Sequence, residues 1–184
     1  MIDHREQRND ETPTPNIVGA WFVLGAAASE RVPWWAGQWL AEGHDGPTLR
    51  ELAGLNGRDP HAVTDLLPAA LAELGVSMPT TVTAAASEAF RYTAELHLSG
   101  QASARWVAQQ VEQIIIRTDY SNEVFDLPLG LIYGVDDEWE GGWGRTVEEL
   151  KADIHAKCVE QLLGSSMSSS AISTVDGNAG ADGE

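Results

Sequence analysis

A chain of 184 residues is long enough to bury a hydrophobic core as one domain, without disulfides or metal ions to hold it together. Its hydrophobic fraction of 43% is ordinary for a globular protein and excludes general disorder. The 28 acidic and 11 basic residues give a formal net charge of −17, which repels phosphate backbones and anionic lipids and attracts basic proteins and cations. The same charge also serves solubility alone.

The single cysteine, Cys158, excludes an internal disulfide and a multi-cysteine zinc site. A reducing cytoplasm fits that cysteine usage best. Residues 1–16 are acidic on balance, unlike the basic start of a secretory signal. The apolar run over residues 17–28 is shorter than the roughly 20 residues needed to cross a bilayer. We therefore expect a soluble cytoplasmic protein that does not contact membranes.

The sequence of the first quarter of the chain predicts a flexible arm followed by two helices. Residues 1–16 are polar and without periodicity, which is typical of a loose N-terminal arm. Residues 17–28 are apolar nearly all round, which predicts a short, central helix. A second helix is expected over residues 33–42, with a proline at its start and a glycine after its end. Its Trp35 and Trp39 share a face, and such a ridge is more often core than ligand platform.

Residues 48–74 predict a hairpin of two helices. Thr48 and Glu51 have the spacing of a capping box, in which each side chain bonds the other residue's backbone N–H. Asp59 precedes a proline and is expected to cap the second helix. Because Pro68 falls inside the apolar pattern of that second helix, we expect a kink or a break near Asp65.

Two further helices are predicted over residues 80–98 and 103–117. The second has the strongest apolar face of the chain, formed by Val107, Val111, Ile114 and Ile115. An acidic, glycine-rich loop follows, with a short extended piece expected at residues 129–133.

A second capping box, Thr146 with Glu149, opens the last helix, and Gly164 is expected to end it. Residues 165–184 are small and polar without pattern, which is typical of a disordered tail. The predicted fold is therefore all-α: a single domain over residues 17–164, built as a compact bundle of about six to seven short helices. One acidic, Trp- and Gly-rich loop lies before the last helix. No motif marks the chain as a member of a known family.

The acidic loop carries the candidate partner-binding residues. Residues 119–184 hold 14 acidic and 3 basic residues, which makes this part of the chain the most negative. The candidates are Asp136, Asp137, Glu138, Trp139, Glu140 and Trp143. A tryptophan inside an acidic rim suits a basic protein, because the ring buries area while the charge speeds encounter. The function we expect is a non-enzymatic protein of inhibitor, antitoxin or immunity type. The alternative is that both rings fold back over the core.

A helix-turn-helix transcriptional regulator is the second hypothesis, since residues 48–74 have the shape of that motif. Residues 44–75 hold five acids against Arg50 and Arg58, and the outward positions of the second helix hold no Lys or Arg. Because phosphate contacts need cations, this composition argues against nucleic-acid binding.

A small enzyme with a Trp-lined pocket is the third hypothesis. The acids of the loop do not follow the spacing of a calcium-binding EF-hand, and no cofactor or metal site is predicted. Cys158 falls on the apolar stripe of the last helix and His155 on another face, which argues against a Cys–His dyad. No Gly-x-Ser-x-Gly elbow is present, so no catalytic residue is assigned. Oligomeric state is left open.

Overall fold

The computed structural model describes the backbone of residues 12–172 and the side chains of residues 12–164. Across that part the regular structure is entirely helical, which confirms the predicted all-α fold. The elements in order are α1 (Pro15–Val23), α2 (Val32–Ala41), α3 (Pro47–Gly54), α4 (Pro60–Glu73), α5 (Val82–Leu98), α6 (Ala104–Arg117), α7 (Asn122–Phe125), a 3₁₀ turn (Gly130–Ile132), α8 (Val135–Gly141) and α9 (Val147–Ile172).

Helix α5 lies at the centre of the bundle, where it packs against α1, α6 and α9, while α3 packs against both α2 and α4. Trp21 of α1 contacts Trp35 of α2, with ring centroids 5.8 Å apart. Trp35 and Trp39 are both buried, so the predicted tryptophan ridge belongs to the core. Trp34 beside them is exposed. The ridge therefore fastens α2 to α1 and leaves one indole in solvent.

Two of the predicted helix starts are confirmed in atomic detail. The carboxylate of Asp59 accepts hydrogen bonds from the N–H groups of His61 and Ala62 at 3.0 and 3.2 Å. At the start of α9, the Thr146 N–H donates to the Glu149 carboxylate at 2.7 Å, and the Glu149 N–H donates to the Thr146 hydroxyl at 3.3 Å. The second capping box forms as expected, because both of its partners lie within one turn of helix.

The first predicted capping box is wrong. Helix α3 begins after Gly46, and its first free N–H groups are satisfied from another helix. The Glu73 carboxylate at the end of α4 accepts from the Thr48 N–H at 3.0 Å and from the Leu49 N–H at 2.9 Å. Gly46 leaves room for this approach, since a Cβ there would lie 2.1 Å from a Glu73 oxygen. A carboxylate from α4 therefore replaces the local Thr48–Glu51 pairing and ties α3 to α4.

The break expected near Asp65 because of Pro68 does not occur, since α4 runs through both residues without interruption. A proline inside a helix removes one hydrogen bond and costs about 3 kcal/mol. The neighbouring side chains of Leu67 and Leu71 are fully buried, and burying a leucine gains roughly 1.5–3 kcal/mol. The tertiary packing of α4 thus offsets the local cost of the proline.

Two other boundaries differ from the predictions. Residues 129–133, expected to be extended, contain the 3₁₀ turn Gly130–Ile132. Gly164 does not end α9, whose backbone continues to Ile172. Gly lowers helix propensity by only about 1 kcal/mol relative to Ala, so a single one can be carried within a helix. Residues 1–11 and 173–184, which hold most of the predicted arm and tail, lie outside the described residues.

Candidate functional site

The segment predicted as an acidic loop is largely helical, because five of its six candidate residues lie on α8. Gly134 and Gly142 flank α8 in the left-handed conformation, with φ of 84° and 61°. The glycines therefore delimit a helix instead of interrupting it. The acids cluster in the first turn of α8, where the positive end of the helix dipole favours them. These acidic residues in the first turn are the feature of the sequence that indicates a helix here.

Two acids of α8 face α6 and share one arginine. Asp136 and Glu140 are four residues apart, so they lie on one side of the helix. Both contact Arg105 of α6, at 3.4 Å from the Asp136 carboxylate and 2.6 Å from the Glu140 carboxylate. The Asp136 side chain is 15% exposed, whereas that of Glu140 is 65% exposed. This arginine fixes α8 on α6 and leaves Glu140 accessible to solvent.

Glu138 has a structural role in the turn between α8 and α9. Its carboxylate accepts from the Arg145 backbone N–H at 2.6 Å and from the Arg145 guanidinium at 2.7 Å, while Arg145 also contacts Asp153 of α9 at 2.8 Å. The Arg145 hydrogen bonds lower the pKa of Glu138, and the bonded carboxylates raise the pKa of Arg145. The Glu138 side chain is only 12% exposed. Glu138 therefore holds the turn, and its charge is already paired.

The two candidate tryptophans lie in different environments. Trp139 is half-buried and packs against the hydrophobic core. Trp143 is 64% exposed on the turn after α8. Its indole lies across Gly141, where a Cβ would come within 2.2 Å of the ring nitrogen. The structure therefore brings one of the two predicted anchors to the surface and uses the other largely for packing.

Glu112 on α6 belongs to the same surface and was not predicted. It is half-buried, and its burial raises its pKa, with Asp137, Asp136 and Glu140 adding to the rise. Arg105 and Glu112 are seven residues apart, two helical turns, so they lie on one face of α6. We call Glu112, Asp136, Asp137 and Glu140 the acidic strip. Arg105 is the one base that pairs with the strip within the described residues, so the strip keeps an excess of negative charge.

The outward face of α4, the second helix of the α3–α4 hairpin, carries no Lys or Arg side chain. Of the outward positions predicted for this helix, those that are exposed are His61, Thr64, Asp65, Ala69 and Ala72. On α3, Arg50 is paired with Asp45. Whether this hairpin binds DNA stays a prediction, and a band-shift assay with duplex DNA at low salt would test it.

The structure places Cys158, the one cysteine of the chain, in the hydrophobic core. Cys158 is buried, and its burial raises the pKa of the thiol to about 12. The His155 ring faces His97 instead, with centroids 5.6 Å apart. Among the described residues, no three His, Cys, Asp or Glu side chains are placed to hold a metal ion together.

A cleft of about 240 Å³ lies where the end of α1 meets α4. Its lining residues are Phe22, Gly25, Ala27, Ser29, Val63, Thr64 and Leu67. None of these is a tryptophan, so the cleft does not correspond to the predicted Trp-lined pocket.

Within the described residues, no helix is both long enough and apolar enough to cross a membrane. The chain matches no known family of proteins, and no curated protein or solved structure shows significant similarity to it.

Proposed function

We propose that this protein is a non-enzymatic acidic protein that binds a basic protein partner, as an inhibitor, antitoxin or immunity protein does. The observation that carries the proposal is the 64% exposure of Trp143, a residue type that gains strongly from burial. Glu138 and Arg145 hold the turn that presents it. The compartment we propose is the cytoplasm, which the single cysteine fits.

An exposed tryptophan on an ordered turn is the kind of residue that supplies most of the free energy of binding in a protein interface. Tryptophan is enriched among binding hot spots, and a turn that is ordered before binding lowers the entropy lost in the complex. The carboxylates of Asp137 and Glu140 are exposed on α8, the helix that precedes this turn. Charges at the rim of an interface mainly raise the association rate and select partners of opposite charge. The surface thus combines an apolar anchor with acidic steering.

The anchor is tested by Trp143→Ala in a pull-down from the native cell lysate. Because the ring is exposed, the substitution should leave thermal stability nearly unchanged. Loss of a hot-spot tryptophan costs about 2 kcal/mol or more, so the Kd should rise about 30-fold or more and retention of the partner should fall. Trp34→Ala, at an exposed tryptophan on α2, is the matched control and should retain the partner. Equal retention by the Trp143→Ala bait would contradict the proposal.

The acidic steering is tested by Asp137→Asn combined with Glu140→Gln. Glu138 is kept, because its replacement would release the turn. The matched control neutralises two exposed acids of the α3–α4 hairpin, Glu51→Gln with Asp65→Asn, and has the same net charge. A stoichiometric basic protein should be released by salt and lost from the first variant, while the control retains it. Identical capture by both variants would mean that total charge, and not this surface, attracts the protein.

A further inference from the structure

Two tyrosines are exposed together at the start of α8, the opposite end from Trp143. Tyr120 is 51% exposed and Tyr133 is 38% exposed. Their rings meet edge to face, with centroids 6.1 Å apart, and the Tyr133 ring meets Phe125 in the same manner at 5.3 Å. Each contact has the geometry that aromatic rings prefer. We call Tyr120 and Tyr133 the tyrosine pair. Phe125 supports it from beneath, being more buried than either tyrosine.

The backbone that presents Tyr120 adopts a costly conformation. Asp119 and Tyr120 have φ of 50° and 57°, and they are the two non-glycine residues with positive φ in the described chain. The Tyr120 N–H bonds the Ile115 carbonyl and thereby closes the end of α6. Four other helix ends close with the same backbone bond but place glycine in the left-handed position: Gly25, Gly43, Gly75 and Gly100. Strain of this kind, accepted by residues with side chains, is typical of functional positions.

The tyrosine pair lies next to two members of the acidic strip, Glu112 and Asp137. Burial raises the pKa of the Tyr133 hydroxyl, and so do its neighbours Tyr120, Glu112 and Asp137. Tyr133 lies directly before α8, which carries Asp137 in its first turn, and α6, which carries Glu112, packs against both α8 and the 3₁₀ turn that leads to Tyr133. Neither carboxylate pairs with a base in the described part of the chain. Aromatic rings beside unpaired carboxylates form a surface that is complementary to a cation.

We propose that the tyrosine pair, together with Glu112 and Asp137, receives an arginine side chain of the basic partner. The inference rests on the proposed function and adds a second contact to that of Trp143. A guanidinium stacks on aromatic rings and bonds carboxylates through two N–H groups at once, which the ammonium of lysine does less well. Helix α8 has seven residues and is roughly 10 Å long, so the tyrosine pair and Trp143 flank the acids between them.

The selectivity for arginine is measured with blocked hexa-arginine and hexa-lysine peptides of equal charge, titrated calorimetrically into the full-length protein. Hexa-arginine should bind about two- to fivefold more tightly, the ratio that a cation–π contact at an exposed site provides. In Tyr120→Leu with Tyr133→Leu the ratio should fall towards one, because the rings are gone and only the carboxylates still favour a guanidinium. Glu112→Gln with Asp137→Asn should weaken the binding of both peptides.

Two further variants separate loss of the site from loss of the fold. Tyr120→Phe with Tyr133→Phe keeps both rings and should keep the ratio, and Trp34→Leu on α2 should keep it as well. Equal binding of the two peptides to the wild type, or a ratio that survives the leucine substitutions, would overturn the arginine proposal. Neither result would affect the dependence of partner capture on Trp143. Conversely, if substitutions at Trp143 and Asp137 leave capture of the partner unchanged, the proposed function is contradicted. That holds even where the two peptides bind with the expected ratio of affinities.

Discussion

Gly130→Ala tests most directly how the backbone beneath the candidate surface is packed. Gly130 is buried at the start of the 3₁₀ turn that leads to Tyr133. A Cβ at this position would lie 2.1 Å from the Val124 carbonyl oxygen and 2.8 Å from the Phe125 carbonyl oxygen. The first distance is roughly 1.3 Å shorter than an ordinary 3.4 Å contact. The obstacles are backbone atoms of α7, so they cannot be relieved by rotating a side chain.

The expected cost follows from that geometry. Overpacking a tight site costs about 1–3 kcal/mol, and a domain of this size loses about 2–4 °C of melting temperature for each kcal/mol. We therefore expect Gly130→Ala to lower the melting temperature by about 2–12 °C, measured by circular dichroism. The arginine preference should fall with it, because the turn that carries Tyr133 must move.

Gly37→Ala is the matched control for this measurement. Gly37 lies inside α2, and a Cβ there would meet nothing within 4 Å. Because Ala is the better helix former, the control should be equal to the wild type or more stable, by up to about 1 kcal/mol. A Gly130→Ala protein that melts within about 1 °C of the wild type would show that α7 and the turn are not packed as described.

Substitutions at three further positions test buried and charged groups. Cys158→Ser should destabilise by about 1–3 kcal/mol in urea denaturation, since it buries a hydroxyl in an apolar site, and Cys158→Ala should retain more stability. Hydrogen bonds from α3 outweigh burial and hold the pKa of Glu73 below the usual 4.5. Glu73→Gln should therefore lower stability at pH 7, and its difference from wild type should fade as the pH drops through that lowered pKa. The opposite sign is expected for Glu112→Gln, because the pKa of Glu112 is raised. This variant should be more stable than wild type at pH 7, with a gain that fades on acidification, and a loss at pH 7 would contradict the crowding of carboxylates.

The parts of the fold that follow from local spacing could be predicted from the sequence. The apolar stripe of α6 and the caps at Asp59 and Thr146 depend on residues within one or two turns of each other. The tryptophan ridge was predictable for the same reason, since Trp35 and Trp39 are one turn apart. Local spacing is thus enough to predict the helical class and most of the buried positions.

What could not be predicted depends on residues far apart in the chain. The cap on α3 comes from Glu73, 25 residues after Thr48. Arg105 reaches Glu140 across 35 residues. The local sequence pattern does not predict such contacts, because the packing of the whole bundle determines which side chains lie together. The same dependence explains why the exposure of Trp143 and the burial of Trp139 could not be distinguished, although both stand in one acidic, glycine-rich segment.

Glu112 connects the stability of the fold to the proposed binding. A half-buried carboxylate that faces three others lowers the stability of the free protein, and glutamine would fit the same space without the charge. Residues that lower the stability of the free protein are expected at binding surfaces. A residue that improves binding there can be one that weakens the fold. A guanidinium placed between Glu112 and Asp137 would remove the repulsion, so the partner should stabilise the wild-type fold more than it stabilises Glu112→Gln. Equal stabilisation of the two proteins by the partner would assign Glu112 to solubility alone and leave Trp143 as the anchor.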